Sequence, residues 1–197
     1  RTILDAASGP MRAMILLGIN CGFGQTDIAN LPQSFIDFDT GWIDYPRPKT
    51  GVDRRCLLWP ETVSALKEAI AARPAPADKA DADLCFLTAK GYRCVRMTEG
   101  GSGVDSIAPR FGKVRDAVGI TGHRSFYALR HGFRTVADAS KDQPAIDHIM
   151  GHVRDDMASL YREGISDERL QAVVDVVRSW LWPEGCDASP DDAASAK

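Results

Sequence analysis

Apolar positions in this chain fall mostly into blocks of helical period, separated by short breaks marked by Gly, Pro or Asp. Residues 1–22 read as helix, and the run MILLGI at 14–19 is too hydrophobic for a surface helix, which predicts burial. Gly22 and Gly24 interrupt it, and Gln25–Leu31 form a further short helix stopped by Pro32. Strict alternation then appears in SFIDFD (34–39) and WIDY (42–45), joined by Asp39-Thr40-Gly41, which predicts a β-hairpin. After the turn PRPKTG (46–51), RRCLLW (54–59) adds a third strand. Pro60 opens a helix through ETVSALKEAIAARP, at the first helical position where its missing N–H costs nothing. PAPADKADAD is a loop and LCFLT a short buried extended piece. Residues 88–103 are irregular and Gly-rich, expected to be mobile or ordered only on binding. A helix with basic residues on its exposed face covers VDSIAPRFGKVRDAVG (104–119).

From Ser125 the pattern is helical throughout, over about 125–139, 143–150, 155–163 and 166–181. Asp155 or Asp156 caps the third of these helices and Ser166 the fourth, where Arg169 breaks the usual capping box. The fourth carries an apolar stripe of Leu170, Val173, Val174, Val177 and Leu181, which packs either on its own domain or on a neighbouring subunit. The predicted class is α+β and mainly helical. One domain spans 1–183, with a small three-stranded antiparallel sheet at one edge of a helical bundle. An acidic tail over 184–197 is expected to be disordered.

Charge changes this picture only once it is located. The net charge of −3 argues against a nucleic-acid partner, yet the tail alone supplies it, with Glu184, Asp187, Asp191 and Asp192 against Lys197. Residues 90–134 carry nine Lys or Arg against three acids, and residues 47–55 carry four against one. A face built from both stretches would neutralise several phosphates, although such runs are commonly just solvated surface. The five cysteines form no C-x-x-C pair, which points to a reduced, cytoplasmic chain. No segment approaches the roughly 20 apolar residues of a membrane span.

Candidate chemistry concentrates between Phe126 and Arg162, which hold three of the four histidines. Arg130 and His131 are adjacent, His152 follows, and Tyr161 comes nine residues later. Arginine, histidine and tyrosine together suit attack of a phenol on a phosphodiester. The guanidinium binds phosphate oxygens bidentately, the imidazole donates a hydrogen bond, and the phenol is the nucleophile. A rival reading pairs His148 with His152 at i and i+4 as a metal clamp. No Glu follows His148, no third ligand is near in sequence, and Gly151 ends the helix between the two.

The order Leu129-Arg130-His131, Met150-Gly151-His152, then Tyr161 resembles the C-terminal signature of the tyrosine recombinases, the phage integrase family, over about residues 10–181. The resemblance implies site-specific DNA recombination through a covalent 3′-phosphotyrosine, with no cofactor and no metal. It assigns Tyr161 as nucleophile, Arg130 and His152 to the scissile phosphate, and Lys49, in the turn KTG, as general acid for the departing 5′ oxygen. Double-stranded DNA would be the partner, with four protomers synapsed on two duplexes and the helix at 166–181 exchanged between neighbours. An N-terminal DNA-clamp domain would precede this fragment, which alone would be a monomer.

Two positions depart from the family. Its G-x-R-x-x-E falls on Gly22-Phe23-Gly24-Gln25-Thr26-Asp27, putting Gly24 where the first arginine belongs, and its H-x-x-R has Tyr127 in place of histidine. Tyr127 shares a helix face with Arg130 and can donate a hydrogen bond. A phenol ordinarily titrates near pH 10, however (about 10 for unperturbed tyrosine), so it cannot shuttle protons at neutral pH. Arg12, Arg47, Arg54 and Arg55 are candidate replacements for the lost cation. Arg47 ranks first, since Pro46 and Pro48 stiffen it two residues from Lys49. The alternative function is a degenerate relative that binds DNA without chemistry.

Overall fold

The computed structural model describes residues 1–97, 101, 103–122, 124–152 and 164–183. Its centre is helix α2 (Gly9–Asn20), in which Ala13, Met14, Ile15, Leu16 and Leu17 are wholly shielded from solvent. A helix apolar on nearly all sides must be enclosed, and α2 lies against α4 (Pro60–Ala71) and α6 (Tyr127–Ala137), with α5 (Ile107–Ala117) and α8 (Asp167–Leu181) beside it. The single helix read over 1–22 is two: α1 (Thr2–Ala6) ends before Ser8, and α2 begins with Pro10 in its first turn. Proline disfavours helical backbone in the residue before it, and Gly9 there takes φ +52.

The predicted three-stranded sheet is smaller than expected. Strands β1 (Trp42–Asp44) and β2 (Arg55–Leu57) pair antiparallel, Ile43 opposite Cys56. The first predicted strand is instead a 3₁₀ turn over Gln33–Phe35, leaving one bridge, Ile36 to Ile43. The Asp37 carboxylate accepts the backbone N–H groups of Asp39 at 2.9 Å and Thr40 at 3.1 Å. This local turn competes with strand extension, because a short acidic side chain offers the backbone an alternative partner. A second hairpin, β3 (Val95–Met97) with β4 (Gly103–Asp105), forms in the stretch read as irregular and takes Val104 and Asp105 from the start of the helix read over 104–119. It packs on α3 (Gln25–Ala29), and Gln25 Nε2 donates to Asp105 Oδ2 at 2.6 Å.

Helix α7 (Gln143–Met150) has the predicted bounds, capped by the Asp142 carboxylate accepting from Ala145 N at 3.1 Å. The helix expected over 155–163, with Tyr161 and its capping aspartates, lies outside the described residues, as does the 184–197 tail. The apolar stripe of α8 packs on the chain's own core, with Trp59 Nε1 donating to the Val174 carbonyl at 3.1 Å. Three ion pairs clip α8 down: Asp167 to Arg55, Arg169 to Asp142 through two bonds of 2.7 Å, and Arg178 to Glu61. Arg169, which spoils a capping box, thus has a tertiary partner instead.

Several cations of the basic stretch are also neutralised internally. Arg93 pairs with Asp81, Arg115 with Asp116 and Arg134 with Asp138. Asp81 and Asp138 fall outside the 90–134 window, so a count along the chain overstates the charge of that face. No helix among the described residues is long and apolar enough to cross a membrane.

Candidate functional site

The amphipathic helix α6 turns Phe126, Phe133 and Ala137 into the core, and Arg130 goes with them at 2% exposure. A guanidinium at that depth must be satisfied by hydrogen bonds. Nη1 donates to the Gly22 carbonyl at 2.5 Å, and Nη2 to the Met150 carbonyl at 3.0 Å. Nη2 also lies 2.9 Å from His152 Nε2. Arg130 therefore ties the end of α2 to the end of α7. Burial, and next the like charge of Arg47, pull its pKa below the ordinary arginine value, while the adjacent Tyr127 hydroxyl favours the charged form.

Gly151 explains why the Met150-Gly151-His152 turn exists. It ends α7 in the left-handed conformation, φ +64, and the His152 N–H bonds back to the Asp147 carbonyl at 2.9 Å. A Cβ there would meet Arg54 Cδ at 2.6 Å and Arg47 Cβ at 3.0 Å, so no side chain fits. The turn presents successive carbonyls to two arginines, Met150 to Arg130 and Gly151 to Arg47 Nη1 at 3.3 Å. It also aims His152 at the same point. Because guanidinium only donates, His152 Nε2 accepts, and Nδ1 carries the proton toward Asp147 Oδ1 at 3.3 Å.

Arg47 and Lys49 come from the β1–β2 connection. The Arg47 carbonyl accepts from Thr50 N at 3.1 Å and Gly51 N at 2.8 Å, fixing the turn that exposes Lys49. Both line an open cleft of about 420 Å³ with Gly24, Gln25, Thr26, Asp27, Pro48 and Tyr127. Of the sequence-predicted residues, Arg130, His152 and Arg47 thus meet at the α7 turn, and Lys49, Arg47 and Tyr127 share the neighbouring cleft. Gly24 forms one wall, where a Cβ would stand 3.9 Å from the Tyr127 ring. His131 is exposed rather than buried, edge-on to Tyr127 with ring centres 4.8 Å apart.

Two acidic side chains support the site through partners that the order of the chain does not show. Asp147 orients His152, and its only signal was a carboxylate five residues before the imidazole. Asp27 accepts the Gly24 N–H at 2.8 Å and lies 3.2 Å from the buried guanidinium of Arg54. Its helix-capping spacing was legible, but its pairing with Arg54 was not. The charges that bear on His148 are those of Asp53, Asp44 and Arg55. Among the described residues no group of three or more His, Cys, Asp or Glu is placed to hold a metal.

His148 in α7 and His152 just past it both have pKa values held below the ordinary 6.5, burial being the main cause in each. For His152 the Asp147 hydrogen bond opposes the shift, and Arg130 and Arg47 reinforce it; for His148 Asp53 and Asp44 oppose and Arg55 reinforces. The unfolded chain therefore takes up protons at higher pH than the folded one, so stability declines as pH falls through 6.5 toward the depressed values. We expect the thermal midpoint, followed by circular dichroism, to drop between about pH 7.5 and about pH 5.5. Replacing His148 and His152 with Asn should flatten that slope; an unchanged slope would show that other groups cause it.

Comparison with known proteins places the fold and the family. The model of the phage integrase family matches residues 1–166. Among solved structures, XerA recombinase is similar with a TM-score of 0.62 and 20% identity, over 86% of this chain and 59% of that one. The integrase from mycobacterium phage Brujita gives a TM-score of 0.59 and 18% identity, over 87% and 52%. A lambda integrase dimer bound to a COC' core site gives 0.57 and 18%, over 82% and 45%. The chain thus spans between 45% and 59% of the length of these structures. A comparison with curated proteins found no match. Because the family model covers residues 1–166 of 197, and the helices carry the family's fold, the chain belongs to the phage integrase family.

Proposed function

We propose that this chain cuts and rejoins double-stranded DNA site-specifically through a 3′-phosphotyrosine. The observation that carries the reading is the convergence of Arg130, His152 and Arg47 on the α7 turn, beside the cleft that holds Lys49. Cations meeting in a half-buried place bind an anion far better than the same cations dispersed in water. A DNA phosphate fits the anion required, with Arg130 and Arg47 on its non-bridging oxygens. His152 adds a third donor once it takes up a proton, and the Tyr127 hydroxyl a fourth. Tyr161 attacks phosphorus, giving its phenolic proton to solvent water, and forms the O–P bond as the P–O5′ bond breaks. Lys49 protonates the departing 5′ oxygen. Rejoining reverses the step on the same or another strand, with no external cofactor. Assembly of four protomers on two duplexes belongs to the same proposal.

A nicked suicide substrate, from which the cleaved strand diffuses away, tests the chemistry. The expected result is a covalent protein–DNA adduct that disappears in Tyr161→Phe. A second reading, a DNA-binding relative without chemistry, is favoured by Gly24 and Tyr127, which remove two groups from around the phosphate. No adduct from the intact chain at high concentration, together with retained DNA binding, would establish that second reading.

A further inference from the structure

Arg54 has no role in the reading above. It lies at 3% exposure, yet Nη1 and Nη2 have no aligned hydrogen-bond acceptor among the described residues. Nη1 is 3.2 Å from Asp27 Oδ1, an ion pair without hydrogen-bond alignment, while Nε donates to the Tyr45 carbonyl at 2.8 Å. The guanidinium lies against the rings of Phe23 and Tyr45, their centres 4.3 and 5.0 Å from its carbon. A buried guanidinium with two idle donor atoms is costly, and an apolar side chain would commonly fold as well or better. Its neighbours show what that cost secures.

Asp27, held by Arg54, accepts the Gly24 N–H at 2.8 Å and fixes one wall of the cleft. The Arg54 stem fills the space under Gly151 that a Cβ would otherwise take, beneath the carbonyl that orients Arg47. The charge of Arg130 also bears on Arg54. It therefore touches the supports of all three sides of the site without lining the cleft. We infer that Arg54 is a positioning residue for the phosphate site, registering the β1–β2 connection, the start of α3 and the α7 turn while adding buried positive charge beneath the bound anion. This rests on the proposed function, since it presumes that the site takes a phosphate.

The test uses inorganic phosphate as probe, followed by 31P line broadening, with the thermal midpoint measured in parallel. Arg54→Met keeps the stem under Gly151 and removes the charge; it should weaken phosphate binding about tenfold or more, the scale of one lost charge interaction at this depth. Adding Asp27→Asn removes the stranded carboxylate, so the double variant should recover its thermal midpoint but not its phosphate affinity. Arg54→Lys, which keeps the charge, should recover part of the affinity. If the double variant regains both, Arg54 merely neutralises Asp27 and the inference fails. Wild-type affinity in a folded Arg54→Met chain would overturn it equally, with the proposed function intact. Should the unmodified chain hold no phosphate, the functional reading falls and this inference with it.

Discussion

Replacing Gly24 with arginine should speed covalent capture of a suicide DNA substrate by roughly 10²–10³-fold, the usual worth of one preorganised donor on a developing negative charge. Nothing in the backbone demands glycine there: φ is −90 and ψ 175, extended values open to any residue. A Cβ would meet Asp27 Oδ2 at 3.4 Å and the Tyr127 ring at 3.9 Å, ordinary contacts, with the cleft open beyond. The cost is modest. Gly24 caps α3, and a poor capping residue there loses about 1 kcal/mol, a small sum beside the roughly 3–4 kcal/mol expected in the transition state. Asp27, three residues on, supplies a counter-charge that keeps the new guanidinium from being expelled by Arg47 and Lys49. Arg47→Ala separates the possible origins of a gain. If Arg47 now substitutes for the lost cation, Arg47→Ala alone should slow capture strongly, and Gly24→Arg should restore it. A folded Gly24→Arg chain no faster than the original, in either background, would show that charge at this wall does not limit the reaction.

The second large effect is expected at Arg130, whose replacement by methionine should slow capture by about 10²–10⁵-fold. The fold should respond far less. The Gly22 and Met150 carbonyls lose their donors, each costing about 1–3 kcal/mol. Against this, a buried charge with a desolvation penalty of several kcal/mol disappears, and methionine fills much of the same volume. The two terms nearly offset, so the thermal midpoint should move by only a few degrees, at about 2–4 °C per kcal/mol for a chain of this size. Circular dichroism and the capture assay on one preparation read both. A capture rate unchanged in Arg130→Met would remove the guanidinium from the chemistry and leave the proposed function without its main support.

Much of this was legible along the chain because it depends on near neighbours. The burial of MILLGI, the bounds of α7 and the stop at Gly151 follow from period, capping and the need for φ above zero. Spacing and resemblance singled out Arg130, His152, Lys49 and Tyr161 and the two departures at Gly24 and Tyr127, and folding brings Arg130 and His152 together while Tyr161 lies outside the described residues. The sheet was less legible: the alternation in SFIDFD is real, but Asp37 turns the backbone onto its own carboxylate before a strand can extend. RCVRM does not alternate strictly and stands among glycine-rich neighbours, yet it holds a strand over Val95–Met97.

By itself, then, the sequence determined the order of helices, the apolar faces they bury and which side chains have the chemistry for phosphate. Tertiary structure decided which cations remain available and which are consumed. Arg93 is spent on the carboxylate of Asp81, while Arg130 and Arg47 are aimed at successive carbonyls of one turn and Arg54 is sunk beneath them. The reason is physical. Local hydrogen bonding and hydrophobic period act over a few residues and are written in order along the chain. A charge's partner is instead set by distances of about 3–4 Å between segments about 20 to 110 residues apart, as with Arg130 against His152 and Gly22, and only folding fixes those.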